Sequence, residues 1–341
     1  MNNSMRNQPA TLEALRGALQ RGFGLYVMLD PIQGDLLPGV DRDCNDITAL
    51  TRNREALWQR EIVPIELPDK LPLDAWQAPY LLTLQGPDDE LLDFTFEQAM
   101  AQREEALAEG LFGSGAAAHP VGGWLQTNQH AQAIASTLSG VLKLRTGLAI
   151  RERYLRLFDP RVFALTRHVL GDARLSAALG SHIAWYTLTP CAQLDVLHGT
   201  GAPPQTLRFG PEEWTFMRKG EIVHRSIAHY LGSFETDATH GPALSPYSEL
   251  ITRAHAAQAA TDSAALHWPA RFPRPLDRAK WAALLMLHGE RLAQTTVDRI
   301  MVYDTQASEP VEPLQDLIPA LLEAIIPADA KQHFEENFHG N

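Results

Sequence analysis

Histidine and cysteine are the side chains of this sequence that could bind a metal or act as a nucleophile and its base. The chain has thirteen histidines but only two cysteines. His224 and His229 are five residues apart, and on a helix this spacing turns two side chains about 140° away from each other, which is wrong for a shared metal. His182 and His198 flank Cys191, but a lone cysteine with scattered histidines is a weak pattern for a nucleophile. We therefore predict no catalytic residues and no metal ligands.

Other segments match binding motifs only in part. The small-residue segment GLFGSGAAAH (110–119) lacks the Gly-Lys-Ser/Thr ending of a phosphate loop, and His119 has no carboxylate at ligand spacing beside it. The segment DRDCND, from Asp41 to Asp46, lacks the glycine and the distal glutamate of a calcium loop. No Gly-x-Ser-x-Gly nucleophile elbow occurs. The sequence therefore predicts no cofactor.

Composition limits the class of partner and the compartment. The net charge of −12 comes from 41 acidic and 29 basic residues, and an acidic surface repels phosphate backbones, so we expect no nucleic-acid partner. Two cysteines are too few for a secreted disulfide framework. The first residues lack the apolar core of a signal peptide, and no apolar run approaches the ~20 residues that span a bilayer. We expect a cytoplasmic protein without membrane insertion.

One basic segment stands out against this acidic composition. Between Lys143 and Arg174 there are eight basic and three acidic residues, a local charge of +5. These arginines either pair with nearby carboxylates or lie solvated, or they form an electropositive face that receives an acidic partner surface. The second interpretation makes five arginines candidate partner-binding residues, namely Arg151, Arg153, Arg156, Arg161 and Arg167.

Short apolar runs alternate with helical patterns in the first half of the chain. The predicted strands are 24–30, 62–67, 79–84, 122–127, 153–158 and 182–188, because each is short, apolar and bounded by turn residues. Predicted helices follow over 92–110 and after Asn128, which can cap the second of them. Asp159 and Pro160 have the types expected at the cap and the first position of a third helix.

The segment GTGAPPQ, from Gly199 to Gln205, is the predicted domain boundary because it holds two glycines and two prolines. Beyond it the pattern is mainly helical, with apolar faces at 281–292 and 314–325. We therefore predict an α+β protein with a mixed N-terminal lobe over 10–198 and a mostly helical C-terminal lobe over 205–341. The tryptophans of the second lobe either complete its core or line an apolar surface for a partner, which makes Trp214, Trp268 and Trp281 candidate binding residues.

The order of four segments resembles the domain-of-unknown-function family 4123. GLYVMLD comes first, then GGWLQT before a helix, then RERYLRLFDPRVF, then HIAWYTL. The marks of that family are a LYALLD-like first strand and an R-Y-DPRV strand-to-helix junction. The resemblance covers roughly Gly22 to Leu197, and Phe158 stands where the family more often has tyrosine. The residues that match the junction are Arg156, Asp159, Pro160, Arg161 and Val162.

The resemblance implies a binding protein. Members of that family are adaptor chaperones of the bacterial type VI secretion system, which hold a toxic effector in the cytoplasm and help to place it on the spike protein of the secretion tube. The expected partners are therefore two proteins, the effector and the spike. Two alternatives stay open, a hydrolase or transferase whose site is assembled from scattered His, Asp and Arg residues, and a structural component of a larger assembly.

Overall fold

The structure is a computed structural model, and it describes residues 10–32, 34–67, 71, 73–108, 119–146, 153–180, 183–233, 245–289 and 292. The chain divides into two compact units. The first unit runs to Arg218, and the second begins at Lys219. The described part contains helices and mostly antiparallel strands, which confirms the predicted α+β class.

A six-stranded antiparallel sheet forms the centre of the first unit. Its strands are β1 (Gly24–Leu29), β2 (Ile62–Pro64), β3 (Tyr80–Leu84), β4 (Val121–Thr127), β7 (Ala184–Leu188) and β8 (Leu194–His198), in the order β2-β3-β1-β4-β7-β8. Five of these strands lie within predicted strand segments or overlap them closely. β1 is central, and its register pairs Leu25 with Leu84 of β3 and with Gln126 of β4.

Helices cover both faces of this sheet. The helices α1 (Leu12–Ala18), α2 (Ile47–Trp58) and α3 (Glu90–Ala108) bury side chains such as Trp58 and Phe96 in a core that includes Val27. The helices α4 (Ala131–Leu142) and α5 (Pro160–Leu179) contribute Leu138 and Phe163 to a second core, which includes Met28. Because successive side chains of a strand point to opposite faces, Val27 and Met28 fill different cores.

Three short strands form a separate small sheet in the first unit. The strand β5 (Lys143–Thr146) pairs antiparallel with β6 (Arg153–Tyr154) and parallel with β9 (Arg208–Phe209). A helix, α6 (Pro211–Met217), follows β9. The predicted boundary segment at 199–205 therefore lies inside the first unit, because the chain beyond it returns to pair with β5.

The second unit is helical in its described part. It contains α7 (Gly220–Gly232), α8 (Tyr247–His267), a 3₁₀ turn at Pro269–Arg271 and α9 (Pro275–His288). The helix α9 packs on both α7 and α8. The predicted apolar face that begins at Trp281 lies on α9, whereas the face predicted at 314–325 falls outside the described residues. None of the described helices has the length and hydropathy needed to cross a membrane.

Two local predictions are wrong. The strand predicted over 153–158 ends at Tyr154, because the segment then turns and the backbone N–H of Asp159 donates to the carbonyl of Arg156. The helix predicted to be capped by Asn128 begins at Ala131, with His130 at the N-cap.

Candidate functional site

The junction between Arg156 and Arg161 is built around the side chain of Asp159. Asp159 is the N-cap of α5, its carboxylate accepts from the backbone N–H of Arg161 at 2.9 Å, and Pro160 occupies the first turn. This confirms the predicted cap. The Arg161 guanidinium also binds the same carboxylate through Nε at 2.9 Å and Nη2 at 2.6 Å. Asp159 therefore serves at once as a helix cap and as half of a buried, bidentate ion pair.

A second ion pair joins this junction to the central strand β1. Asp30 follows the end of β1, is 4% exposed, and accepts a hydrogen bond from Nη2 of Arg156. The backbone N–H of Asp30 donates to the carbonyl of Pro120 at 2.8 Å, which fixes the carboxylate beside the start of β4. Arg156 also lies 3.9 Å from the Asp159 carboxylate. Two of the four segments that carry the family resemblance, GLYVMLD and RERYLRLFDPRVF, thus meet at one end of the sheet.

Arg103 and His119 complete this buried charged cluster. Arg103 lies on α3 and His119 just before β4, and their side chains are 1% and 2% exposed. The Arg103 Nη1 and the His119 Nδ1 are 2.7 Å apart. A guanidinium can only donate, so Nδ1 is the acceptor and the proton of this neutral imidazole is on Nε2. We call Asp30, Arg103, His119, Arg156, Asp159 and Arg161 the ionic cluster.

The protonation states in the ionic cluster follow from burial and from its internal charges. Burial, with a further contribution from Arg103, lowers the pKa of His119 to about 2. Burial also lowers the pKa of Arg103 to about 9. Burial alone would raise the pKa of Asp159, but the hydrogen bond and charge of Arg161 outweigh it and hold that pKa below its ordinary value. At neutral pH His119 is therefore neutral and Asp159 is ionised.

Two of the remaining basic residues, Arg167 and Arg174, also form ion pairs within the first unit. The Arg167 guanidinium binds Asp172, with Nη2 to Oδ2 at 2.7 Å, and also binds Asp195. Arg174 pairs with Glu213 of α6. Arg151 lies outside the described residues. For Arg153 the structure describes only the backbone, which belongs to β6.

These contacts decide between the two interpretations of the basic segment for three of its arginines. Arg156, Arg161 and Arg167 expose only 28%, 9% and 13% of their side chains, and each pairs with a carboxylate of the same unit. Their charge is therefore largely neutralised within the unit. Of the two interpretations, the structure favours pairing with nearby carboxylates at these three positions.

The three candidate tryptophans lie in different environments. Trp281 is 4% exposed and packs edge-on against Phe272 with a centroid distance of 6.1 Å, so it belongs to the core of the second unit. Trp214 is half-buried against the core of the first unit, with its ring 6.0 Å from Phe209. Trp268 is half-buried at the end of α8, beside the ring of His267 at 5.9 Å.

The end of α8 carries an exposed apolar side chain. Leu266 is 82% exposed. Among the large hydrophobic residues in the described part of the chain, it is the most exposed. The most exposed residues of α8 between Thr252 and His267 are Thr252, His255, Ala256, Ala259, Ala260, Ser263, Leu266 and His267. Asp262, one turn before Leu266, exposes 31% of its side chain and pairs with Lys219. We call Leu266, His267 and Trp268 the α8 end patch.

A cleft of about 640 Å³ lies in the first unit between residues 21–24 and 85–89. Its charged groups are already engaged. Asp88 pairs with Arg21 at 3.0 Å, and Asp89 accepts from the backbone N–H groups of Gln85 at 2.7 Å and Leu91 at 3.0 Å. These contacts hold the loop after β3 in place, so we assign the cleft no ligand.

The residues considered for catalysis do not assemble where the structure describes them. Cys191 is buried, and burial raises the pKa of its thiol to about 12, so the reactive thiolate does not form near neutral pH. His198 is exposed at the end of β8, and His182 lies outside the described residues. Within the described ranges, no group of three His, Cys, Asp or Glu side chains is close enough to hold a metal ion.

Sequence reasoning missed three members of the ionic cluster, namely Asp30, Arg103 and His119. Asp30 ends the GLYVMLD motif, and a charged residue directly after a buried strand was a usable signal. Arg103 lies in a helix rich in charged residues, and nothing in the pattern distinguishes it from its solvated neighbours. His119 was set aside because no carboxylate is near it in sequence, whereas its partner is a guanidinium from α3.

Comparison of the chain with protein-family models, with curated proteins and with solved structures finds no match in any of the three. The resemblance to family 4123 therefore rests on the four segments quoted above and stays an expectation.

Proposed function

We propose that this chain is a non-enzymatic cytoplasmic adaptor that binds a type VI secretion effector and assists its loading onto the spike protein. The observation that carries the proposal is the Asp30–Arg156 ion pair. This ion pair connects the two motifs that mark the family. The strand motif LYVMLD ends in Asp30, the junction motif R-x-x-D-P-R begins with Arg156, and the two side chains bind each other. Short motifs with a common structural role support a family likeness more strongly than the same motifs taken separately.

The chemistry of the ionic cluster favours a structural role over a catalytic one. A general base that works near neutral pH needs a pKa near that pH, and His119 with a pKa of about 2 is far below it. Asp159 is engaged by three hydrogen bonds from Arg161. The cluster therefore fixes α5 against the sheet, and an adaptor needs such a rigid frame to present a binding surface.

For the contact with the effector we propose the α8 end patch of the second unit. Leu266 is largely exposed, Trp268 offers part of its ring, and the carboxylate one turn before Leu266, that of Asp262, is already paired with Lys219. An apolar residue beside a partly exposed tryptophan is typical of the centre of a protein interface. The occupant would be an apolar segment of the effector.

Co-expression tests the proposal. The full chain is produced with the products of the genes adjacent to its own and is purified through an affinity tag on the chain. We expect an effector to co-purify at a fixed stoichiometry, and to be less soluble when it is produced alone. Hydrolase or transferase activity of the chain on its own, with no partner retained, would overturn the proposal.

A further inference from the structure

The six-stranded sheet ends in two edge strands, β2 on one side and β8 on the other. An edge strand presents backbone N–H and C=O groups with which a strand of another chain can pair. In an antiparallel pair these groups alternate, so that every second residue points them toward the neighbouring strand and the residues between point them away. The residues that point away therefore decide whether an edge is open to a further strand.

The direction of the backbone groups in β2 follows from the hydrogen bonds to β3. The backbone N–H of Thr83 in β3 donates to the carbonyl of Glu61 at 3.1 Å, and the N–H of Ile65 also donates toward β3. These two residues of the β2 segment therefore face β3. By alternation, the backbone groups of Ile62 and Pro64 point away from it.

Neither of these outward-pointing residues offers a free N–H. The N–H of Ile62 donates to Oε1 of Glu55 on α2, in a long hydrogen bond of 3.5 Å, and Pro64 has no N–H. The carbonyl of Glu66, the next residue in the same alternation, accepts from Oγ of Ser139 on α4 at 2.7 Å. Side chains of two helices thus take backbone groups that a further strand would need.

At β8 a carboxylate occupies the middle of the edge. The backbone N–H of Gly199 donates to the carbonyl of Ile183 at 2.8 Å, so that Gly199 faces β7 and, by alternation, Val196 points away from it. The N–H of Val196 donates to Oδ1 of Asp195 at 2.9 Å. The same carboxylate binds Arg167 of α5, which holds it in place.

We infer that the central sheet accepts no further strand at either edge, whether from a second copy of this chain or from another protein. Strand addition needs an uninterrupted row of backbone donors and acceptors. The outward N–H groups are unavailable at Ile62 and Pro64 of β2 and at Val196 of β8. A protein partner of the first unit therefore binds through side chains. The inference does not rest on the proposed function.

Hydrogen exchange of single amides, followed by nuclear magnetic resonance on the full chain, tests the two carboxylate contacts. Glu55→Ala should make the Ile62 amide exchange about fivefold faster, because it loses its acceptor. Asp195→Val should do the same for the Val196 amide. Glu249→Ala, at an exposed glutamate of α8, is the matched control and should change neither rate. Equal rates in the parent and the first two variants would overturn the inference.

A second test opens each edge in the full chain. Glu55→Ala combined with Pro64→Val gives β2 two outward donors, and Asp195→Val frees the middle donor of β8. Arg167 keeps its contact with Asp172 in the latter variant, so that its charge stays paired. We expect the sedimentation coefficient of at least one opened variant to rise with protein concentration above that of the parent, and that of the α8 control variant to match the parent. If both opened variants sediment like the parent, these groups do not keep the edges closed and the inference is wrong.

The parent alone provides a third measurement, which needs no variant to fold. The amides of Leu194 and His198 also point away from β7 by the same alternation. We expect each to exchange at the same rate at every protein concentration. Slower exchange of these amides at high concentration would show a strand of a second copy on β8 and would overturn the inference.

Discussion

Asp30 and Arg156 are 126 residues apart in the chain and form an ion pair that joins the end of β1 to the entry of α5. Asp30 is nearly fully buried, whereas Arg156 is 28% exposed. Burial raises the pKa of Asp30, and the charge and hydrogen bond of Arg156 oppose that rise. The carboxylate therefore depends on Arg156 for its stability in the folded state. The ion pair also links the junction to the centre of the sheet.

The first prediction concerns this pair. Arg156→Met leaves the Asp30 carboxylate buried without its partner and should lower the free energy of unfolding by about 3 kcal/mol. The double variant Asp30→Asn with Arg156→Met should lose less than the sum of the two single variants, because no charge is left unpaired. Denaturant unfolding measures each value.

Asp88→Asn, at the exposed pair with Arg21, is the control and should cost at most about 1 kcal/mol. Additive single effects would contradict a direct coupling.

The second prediction separates the two roles of Asp159. Asp159→Ala removes a helix cap and also leaves Arg161 without its bidentate partner, so it should cost about 3–5 kcal/mol of stability. Thr11→Ala is a matched control, because Thr11 caps α1 through its side chain at 3.1 Å but is exposed and pairs with no charge. Loss of that cap should cost about 1 kcal/mol. Equal losses at the two positions would mean that the ion pair contributes nothing.

The third prediction is a pH dependence. Burial lowers the pKa of His119 to about 2 in the folded protein, against about 6.5 in the unfolded chain. Only the unfolded chain takes up this proton between those values, so stability is full above about pH 6.5 and falls as the pH drops, by about 1.4 kcal/mol per pH unit. His119→Gln should flatten the slope by that amount. An unchanged slope in His119→Gln would contradict the assignment.

The fourth prediction concerns the extent of the first unit. Leu207 and Phe209 belong to its core, and the backbone N–H groups of Gly201 and Gln205 donate to Gly180 and Ala177 at 3.0 and 2.9 Å. A chain that ends at Thr200 loses these contacts and β9. We expect such a chain to unfold at a lower temperature than one that ends at Arg218, as measured by circular dichroism. Equal midpoints would place the end of the folding unit before Thr200.

The sequence predicted local features of this fold well and long-range ones poorly, for a physical reason. The strands β1 and β3 were recognisable because helices cover both faces of the sheet, which makes a strand a nearly continuous apolar run. The cap at Asp159 was recognisable because its partner is two residues away. The pairing of β5 with β9 brings together segments about sixty residues apart, and no periodicity encodes such a contact. The sequence left the interpretation of Arg156 open for the same reason, since its partner Asp30 is 126 residues away.

The last prediction tests the proposed contact with the effector. Leu266→Asp places a charge in the α8 end patch and should weaken effector binding at least about tenfold, because a buried apolar anchor contributes disproportionately to an interface. Its effect on the unfolding midpoint should be small, since Leu266 is 82% exposed. Ile47→Asp is the matched control, because Ile47 is an exposed large hydrophobic residue of the first unit, at 37%. Titration of the purified effector by calorimetry measures both affinities. If Ile47→Asp weakened binding while Leu266→Asp did not, the contact would belong to the first unit and the proposal for α8 would be wrong.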